Sequence, residues 1–269
     1  MGIGGFLKRR YGDVRRRASP FRGFVTARDY RRVRRTAPFA AGEAAVLGRP
    51  IRFSDPDGFL HSVREVFQEE VYRFSARNAS PRIIDAGANI GLSVLYFKTL
   101  YPDATVVAYE PDADIFAMLR TNVGGMPGVE LRQAAAWKED TVLTFFREGS
   151  LAGSTEIDFL GRARPVEVRA ERLRDELRRA PVDFLKLDIE GAENAVLFDV
   201  ADELDGVDHL FFEYHSTPGK PQLLGDLLKL VADKGFRYSI NGAHGARLPF
   251  VEEPGHGFDL QLNVFCFRR

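Results

Sequence analysis

The stretch Ile83-Ile84-Asp85-Ala86-Gly87-Ala88-Asn89-Ile90-Gly91 decides the fold. Its apolar residues end a strand, and Gly87 permits a tight turn towards a helix. Gly91 permits either close packing or the close approach of a ligand to the backbone. The first N–H groups of such a helix have no intrahelical partner, and they face the crevice where open α/β sheets bind their ligands.

Working outward, short apolar runs alternate with amphipathic segments. The pattern predicts strands at 82–86, 105–109, 129–135, 182–187, 207–214, 236–240 and 260–267. Helices are predicted at 90–100, 113–123, 192–200 and 222–234. This is a Rossmann-like α/β fold: a mostly parallel seven-stranded sheet with helices on both faces. The last two strands have no helix between them, which predicts a C-terminal antiparallel hairpin of the kind that separates a methyltransferase sheet from a dinucleotide-binding one. Residues 141–169 interrupt the alternation and predict a hairpin with a polar loop at 149–155. Upstream, 49–53 reads as a strand, 55–58 as a turn and 59–74 as a helix with Val63, Phe67 and Val71 on its stripe.

A glycine turn alone is weak evidence, but two carboxylates accompany it. Glu110 ends the next strand in Tyr109-Glu110-Pro111-Asp112, 25 residues beyond Asp85. An acidic residue roughly 20 residues on accepts hydrogen bonds from ribose hydroxyls in nicotinamide, flavin and S-adenosylmethionine sites alike. Asp85 discriminates between them, because a carboxylate repels a pyrophosphate and suits the cationic methionyl end of S-adenosylmethionine. The loop also lacks G-x-G-x-x-G spacing, with Asn89 where the second glycine would stand.

Two further strand tips carry chemistry. Phe184-Leu185-Lys186-Leu187-Asp188-Ile189-Glu190-Gly191-Ala192-Glu193 delivers Asp188 and Glu190 to the crevice, with Lys186 and Asp188 on one strand face. Glu190 and Glu193 also suit the start of the following helix, where the dipole favours carboxylates. Phe212-Glu213-Tyr214-His215-Ser216 places Glu213 and His215 on one face of the neighbouring strand. Methyl transfer to an alcohol requires the hydroxyl to lose a proton, so Asp188, Glu190, Glu213 and His215 are the candidate catalytic groups. Imidazole has the intrinsic pKa of a general base. Asp188, Glu213 and His215 are also donor types for a divalent ion, and the sequence leaves the metal unassigned.

These motifs resemble the FkbM family of S-adenosylmethionine-dependent methyltransferases, over roughly residues 49–267. The resemblance implies O-methylation of a sugar hydroxyl in a glycan, glycolipid or natural product. It implies that Asp85, Gly87, Ala88, Asn89 and Gly91 line the methionyl side, that Glu110 holds the ribose, and that Asp112, Ala136 and Trp137 lie near the adenine. Trp137 is equally consistent with a core position.

The formal net charge is zero but unevenly spread. Residues 1–35 hold twelve Lys or Arg against two Asp, and the rest carries a matching acidic excess. We therefore expect a basic N-terminal arm over 1–45 and a catalytic domain over 46–269. The arm, with Arg15–Arg17 and residues 31–35, would meet anionic lipid head groups at a lipid-linked acceptor or dock on the protein's own acidic face. Rival readings are an RNA-directed methyltransferase using the arm, a nicotinamide oxidoreductase, and a non-catalytic nucleotide-binding module. Nucleic acid is disfavoured because the Asp188 strand lacks the Asn-Pro-Pro-aromatic signature of base methylation. The single cysteine, Cys266, excludes an internal disulfide and reads as a buried hydrophobe. With no apolar run near 18 residues and no signal-peptide pattern, the expected location is cytoplasmic, with the basic arm allowing a place peripheral to the membrane's inner face.

Overall fold

The computed structural model describes residues 20–21, 23–147, 153–154, 164–246, 248, 250–252 and 258–268. Arg15–Arg17 and, apart from Gly153 and Ser154, the polar loop expected at 149–155 lie outside these residues. The described chain divides into two compact units between Val71 and Tyr72. The boundary expected at 45/46 falls inside a strand of the first.

That first unit holds helix α1 (Ala27–Val33), the antiparallel hairpin β1 (Gly42–Val46) and β2 (Arg49–Phe53), and helix α2 (Pro56–Val63). Residues 55–58, expected to be a free turn, begin α2 instead. The Asp55 side chain accepts a hydrogen bond from Gly58 N–H at 2.7 Å and Pro56 fills the first turn, since Asp-Pro serves a helix start as well as a turn. The helix expected to reach residue 74 stops earlier. After Val63 the chain widens into a π-turn at Arg64–Gln68, and Glu70 adopts a left-handed φ of 52° that ends it. The basic cluster at 31–35 is partly neutralised within this unit: Arg32 pairs with Asp29 at 2.6 Å and Arg34 with Asp57 at 3.1 Å.

The second unit is built on a seven-stranded sheet. Its strands are β3 (Arg82–Ala86), β4 (Thr105–Tyr109), β5 (Val129–Arg132), β10 (Val182–Leu187), β11 (Val207–Ser216), β12 (Arg237–Gly245) and β13 (Leu260–Phe267). The order is β12-β13-β11-β10-β3-β4-β5. All neighbours are parallel except β13, which runs antiparallel to both β11 and β12. The expected C-terminal hairpin is therefore present, with β13 inserted beside β11. Helices α3 (Leu92–Leu100), α4 (Ala113–Val123), α6 (Glu193–Val200) and α7 (Leu224–Asp233) connect the strands.

The strand expected at 129–135 is two strands. It breaks after Arg132, and β6 (Ala135–Trp137) joins a second sheet with β7 (Thr141–Arg147), β8 (Gly153–Ser154) and β9 (Arg164–Arg172), which leads into α5 (Leu173–Leu177). The alternation Val129-Glu130-Leu131-Arg132 runs into Gln133-Ala134-Ala135 with no Gly or Pro between them, which hid the change of sheet. Both faces of the main sheet are covered. Ile84, Leu185, Leu187, Phe212 and Cys266 pack with Val196, Leu197 and Val231, while Phe74, Phe97, Phe184, Phe211 and Phe265 form an aromatic layer. Burial pushes the Cys266 thiol up to about 12, as expected of a core residue. Among the described residues no helix is long and apolar enough to cross a membrane.

Candidate active site

Parallel pairing brings the carboxyl ends of β3, β4, β10 and β11 to one edge of the sheet. The β3–α3 loop is tightly self-bonded there. The N–H groups of Gly87 and Ala88 both donate to the Tyr109 carbonyl, at 3.1 and 2.9 Å. That of Asn89 goes to Glu110 Oε2 at 3.1 Å, that of Ile90 to Asn89 Oδ1 at 2.7 Å, and that of Gly91 to Ala88 O at 2.9 Å. All five amides of residues 87–91 are bonded inside the protein, so they are not the donors expected at the start of α3, which begins at Leu92. The loop carbonyls are engaged as well: Gly87 O accepts from Lys186, Ala88 O from Gly91, Ile90 O from Asn122 and Gly91 O from Leu95.

Both loop glycines are required by packing. A Cβ on Gly87 (φ 85°) would fall 1.7 Å from the Asp188 carbonyl oxygen, so this residue lets the β3 and β10 tips touch. On Gly91 (φ 92°) it would meet Leu119 at 2.8 Å and Val123 at 3.0 Å, so this glycine lets α3 and α4 pack closely.

Asp85 is fully buried. Its Oδ2 accepts from Ser93 Oγ at 2.5 Å, and its Oδ1 lies 3.2 Å from Lys186 Nζ. No part of it is exposed, so its partners are Ser93 and Lys186 rather than solvent. Ser93 was not singled out from sequence; lying eight residues on, it meets Asp85 only once the loop has turned back over the strand. Lys186, almost as deeply buried, also donates to Gly87 O at 2.8 Å and lies 3.3 Å from Asp188 Oδ2. Burial disfavours its charge, yet Asp188 and Asp85 outweigh burial and hold its pKa above the ordinary lysine value.

Glu110 ends β4 as expected. Oε1 accepts from Asp112 N–H at 2.8 Å and Oε2 from Asn89 N–H, which fixes the carboxylate while leaving each oxygen a further lone pair. Burial pushes its pKa up to about 8. Asp112 is the N-cap of α4, accepting from Asp114 and Ile115 N–H groups. Ala136 is buried in the core, and Trp137 packs between the core and the second sheet with Lys138 Nζ 5.8 Å from its ring centroid.

The candidate catalytic groups come from β11, α6 and the loop between β10 and α6. Asp188, with its side chain 26% exposed, is hydrogen-bonded to Glu213. Burial opposes its charge, but Lys186 overrides burial and its pKa lies below the ordinary carboxylate value. Glu213 goes the other way, raised well above that range by burial and then by Asp188. Glu193 bonds the loop amides of Ile189 and Gly191, both at 2.9 Å, and so shapes the turn that presents Glu190. His215 is enclosed: Nδ1 lies 3.3 Å from Glu193, and Nε2 lies 3.4 Å from Glu190 and 3.5 Å from Glu213. Among the described residues no group of three or more His, Cys, Asp or Glu side chains is arranged to hold a metal ion.

The sequence profile of the methyltransferase FkbM domain matches residues 85–238. The chain belongs to the FkbM methyltransferase family. As a family member it is an S-adenosylmethionine-dependent methyltransferase with the Rossmann-like fold described above. "Methyltransferase 1" of Beauveria bassiana is 29% identical over 208 residues, covering 68% of this chain and 82% of that protein. The 31-O-demethyl-FK506 methyltransferase FkbM of Streptomyces tacrolimicus is 26% identical over 210 residues, 64% of this chain and 80% of that one. The 2-O-methyltransferase NoeI of Sinorhizobium fredii is 26% identical over 153 residues, 50% and 63% of the two chains. A solved S-adenosylmethionine-dependent methyltransferase from Agrobacterium tumefaciens aligns with a TM-score of 0.46 at 12% identity, over 87% of this chain and 72% of that one. At the strand edge of this FkbM methyltransferase, each Glu110 oxygen accepts one backbone N–H and keeps a lone pair that fits a ribose hydroxyl of S-adenosylmethionine.

Proposed function

We propose that this methyltransferase acts on oxygen, methylating a hydroxyl of a sugar in a glycan, glycolipid or natural product. The observation that carries the proposal is the Asp188–Glu213 pair at the strand edge, where Asp188 is hydrogen-bonded to Glu213 and lies 3.3 Å from the buried ammonium of Lys186. The printed names of two relatives, an O-demethyl-compound methyltransferase and a 2-O-methyltransferase, agree with oxygen as the target.

When bound, S-adenosylmethionine supplies an electrophilic methyl on a sulfonium. This chain's residues do the rest. Glu110 holds the ribose, and the Asn89 N–H on the methionyl side keeps that carboxylate oriented. The acidic strand tips favour the positive charge that is consumed in the reaction. Asp188 orients the acceptor hydroxyl and takes its proton. A carboxylate of depressed basicity suffices, because an oxygen that is gaining a methyl becomes strongly acidic as the bond forms. Lys186 holds Asp188 in place and keeps it ionised at neutral pH.

Asp188→Asn tests the assignment. It should bind S-adenosylhomocysteine with near wild-type affinity by calorimetry, yet transfer methyl groups to sugar acceptors about 10²–10⁴-fold more slowly. Retained turnover would remove Asp188 from the reaction. Failure of the wild-type protein to methylate any hydroxylated acceptor while binding the cofactor would overturn oxygen as the target. Contact of the basic extension with anionic lipid belongs to the same proposal. It requires flotation with anionic vesicles that is lost when residues 1–19 are removed.

A further inference from the structure

We infer that His215 works as a permanently charged imidazolium that positions Glu190 and Glu213 at the acceptor edge, and that it is not the base of the reaction. The argument begins with counting protons. A neutral imidazole has one N–H and one lone pair. Here both ring nitrogens face carboxylates: Glu193 on the Nδ1 side, Glu190 and Glu213 on the Nε2 side, all within 3.5 Å. The side chain has no exposed surface through which water could turn a lone pair into an acceptor. Either neutral tautomer would therefore aim a lone pair at Glu193 on one side or at Glu190 on the other, whereas the doubly protonated ring presents an N–H to both.

The charged groups facing the ring come from every element around it. The loop after β10 contributes Glu190 and the nearby Asp188, α6 contributes Glu193, and β11 contributes Glu213. The chain entering β13 adds the uncharged Phe258 ring, centroid to centroid 4.5 Å away, while Asp259 accepts from the Ser216 hydroxyl. Burial alone would strip the ring of its proton, but Glu193, Glu190 and Glu213 outweigh it and push the pKa up to about 10. A group that already carries its proton cannot take one from an acceptor.

What it does is fix geometry. Glu190 sits at a left-handed φ of 54°, an uncommon conformation for a side-chain-bearing residue, with its carboxylate turned back to Nε2. Glu213, drawn to the same nitrogen, is thereby aligned with Asp188. Resting on the reading that the acceptor is a hydroxyl compound, this sets two carboxyl groups beside the reacting oxygen to receive its neighbouring hydroxyls.

Long-range ¹H–¹⁵N NMR of the ring nitrogens in the full-length protein tests this without any substrate. The His215 signals, assigned through contacts to the Phe258 ring, should show both nitrogens protonated and unchanged from pH 6 to 8.5. A neutral tautomer at pH 7.5 would overturn the inference, even if the protein refuses every acceptor. His215→Gln keeps a donor without the charge. It should still bind S-adenosylhomocysteine and should lose about 10–100-fold in turnover, with the pH–rate profile unchanged in shape and a raised KM for the acceptor. Loss of an acidic limb near pH 6–7 would instead identify His215 as the base. Should the variant fail to fold, the wild-type spectrum still decides. Cofactor binding measured alongside separates failure of this inference from failure of the methyltransferase assignment.

Discussion

Replacing Lys186 with methionine should destabilise the sheet severely, and the size of the effect follows from what surrounds the ammonium. Lys186 is 2% exposed and Asp85 fully buried, with Nζ 3.2 Å from Asp85 and 3.3 Å from Asp188. At an effective dielectric of about 20, each contact is worth roughly 5 kcal/mol before desolvation is counted. Burying the ammonium cancels most of that gain, so the assembled cluster adds little net stability. Removing the lysine alone is a different matter, because Asp85 then remains buried without its cation. Such a break costs about 3–5 kcal/mol, a large share of the roughly 5–15 kcal/mol available to a folded domain. The Gly87 carbonyl also loses its donor.

The assay is urea unfolding followed by the fluorescence of Trp137, the chain's single tryptophan, which reports on the unit that holds the site. Adding Asp85→Asn to Lys186→Met should restore about 2 kcal/mol, since the unpaired charge is removed as well. The pH dependence provides a further check. Asp188 has its pKa held below the ordinary 3.8, so it contributes stability above about pH 4 that is lost as the pH falls. The lysine variant should lack that acid-linked loss. A deficit under about 1 kcal/mol, or double-variant effects that add to within about 0.5 kcal/mol, would refute the reasoning.

Three further outcomes are expected. Gly87→Ala should cost more than Gly91→Ala in thermal unfolding, by about 1 kcal/mol or more. Its new Cβ meets the immovable Asp188 backbone, whereas that of Gly91 meets the ends of Leu119 and Val123. Calorimetric affinity for S-adenosylhomocysteine should rise as the pH climbs through about 8, where Glu110 ionises and becomes a full acceptor for ribose hydroxyls, and Glu110→Ala should weaken binding and flatten that dependence. His215 has its pKa raised from 6.5 to about 10, so its contribution to stability is complete below pH 6.5 and is lost as the pH rises through 10. Denaturant midpoints measured over that interval should decline in the wild type and decline less in His215→Gln.

Much of this molecule is fixed by local pattern. Apolar runs of strand length, separated by amphipathic helices, determine the mostly parallel sheet. The missing helix before the last strand determines the antiparallel insertion. Asp85, Glu110, Asp188 and His215 were identifiable because parallel strands deliver their last residues to one edge whatever else the chain does. Local pattern also misled in definite places. It carried β5 through residue 135, ran the upstream helix past its π-turn and read the Asp55 cap as a free turn, because in each case the same residues suit either state.

The division of labour within the site was invisible, since it depends on distances between strands. Only the folded sheet shows that Lys186 reaches Asp85 as well as Asp188, that Gly87 serves a backbone contact, and that the loop's amides are already spent. Most of all, a histidine at a strand tip has the pKa of a base only while it is solvated. The three carboxylates that enclose His215 arrive from three different elements, and it is their convergence that turns an apparent base into a fixed cation.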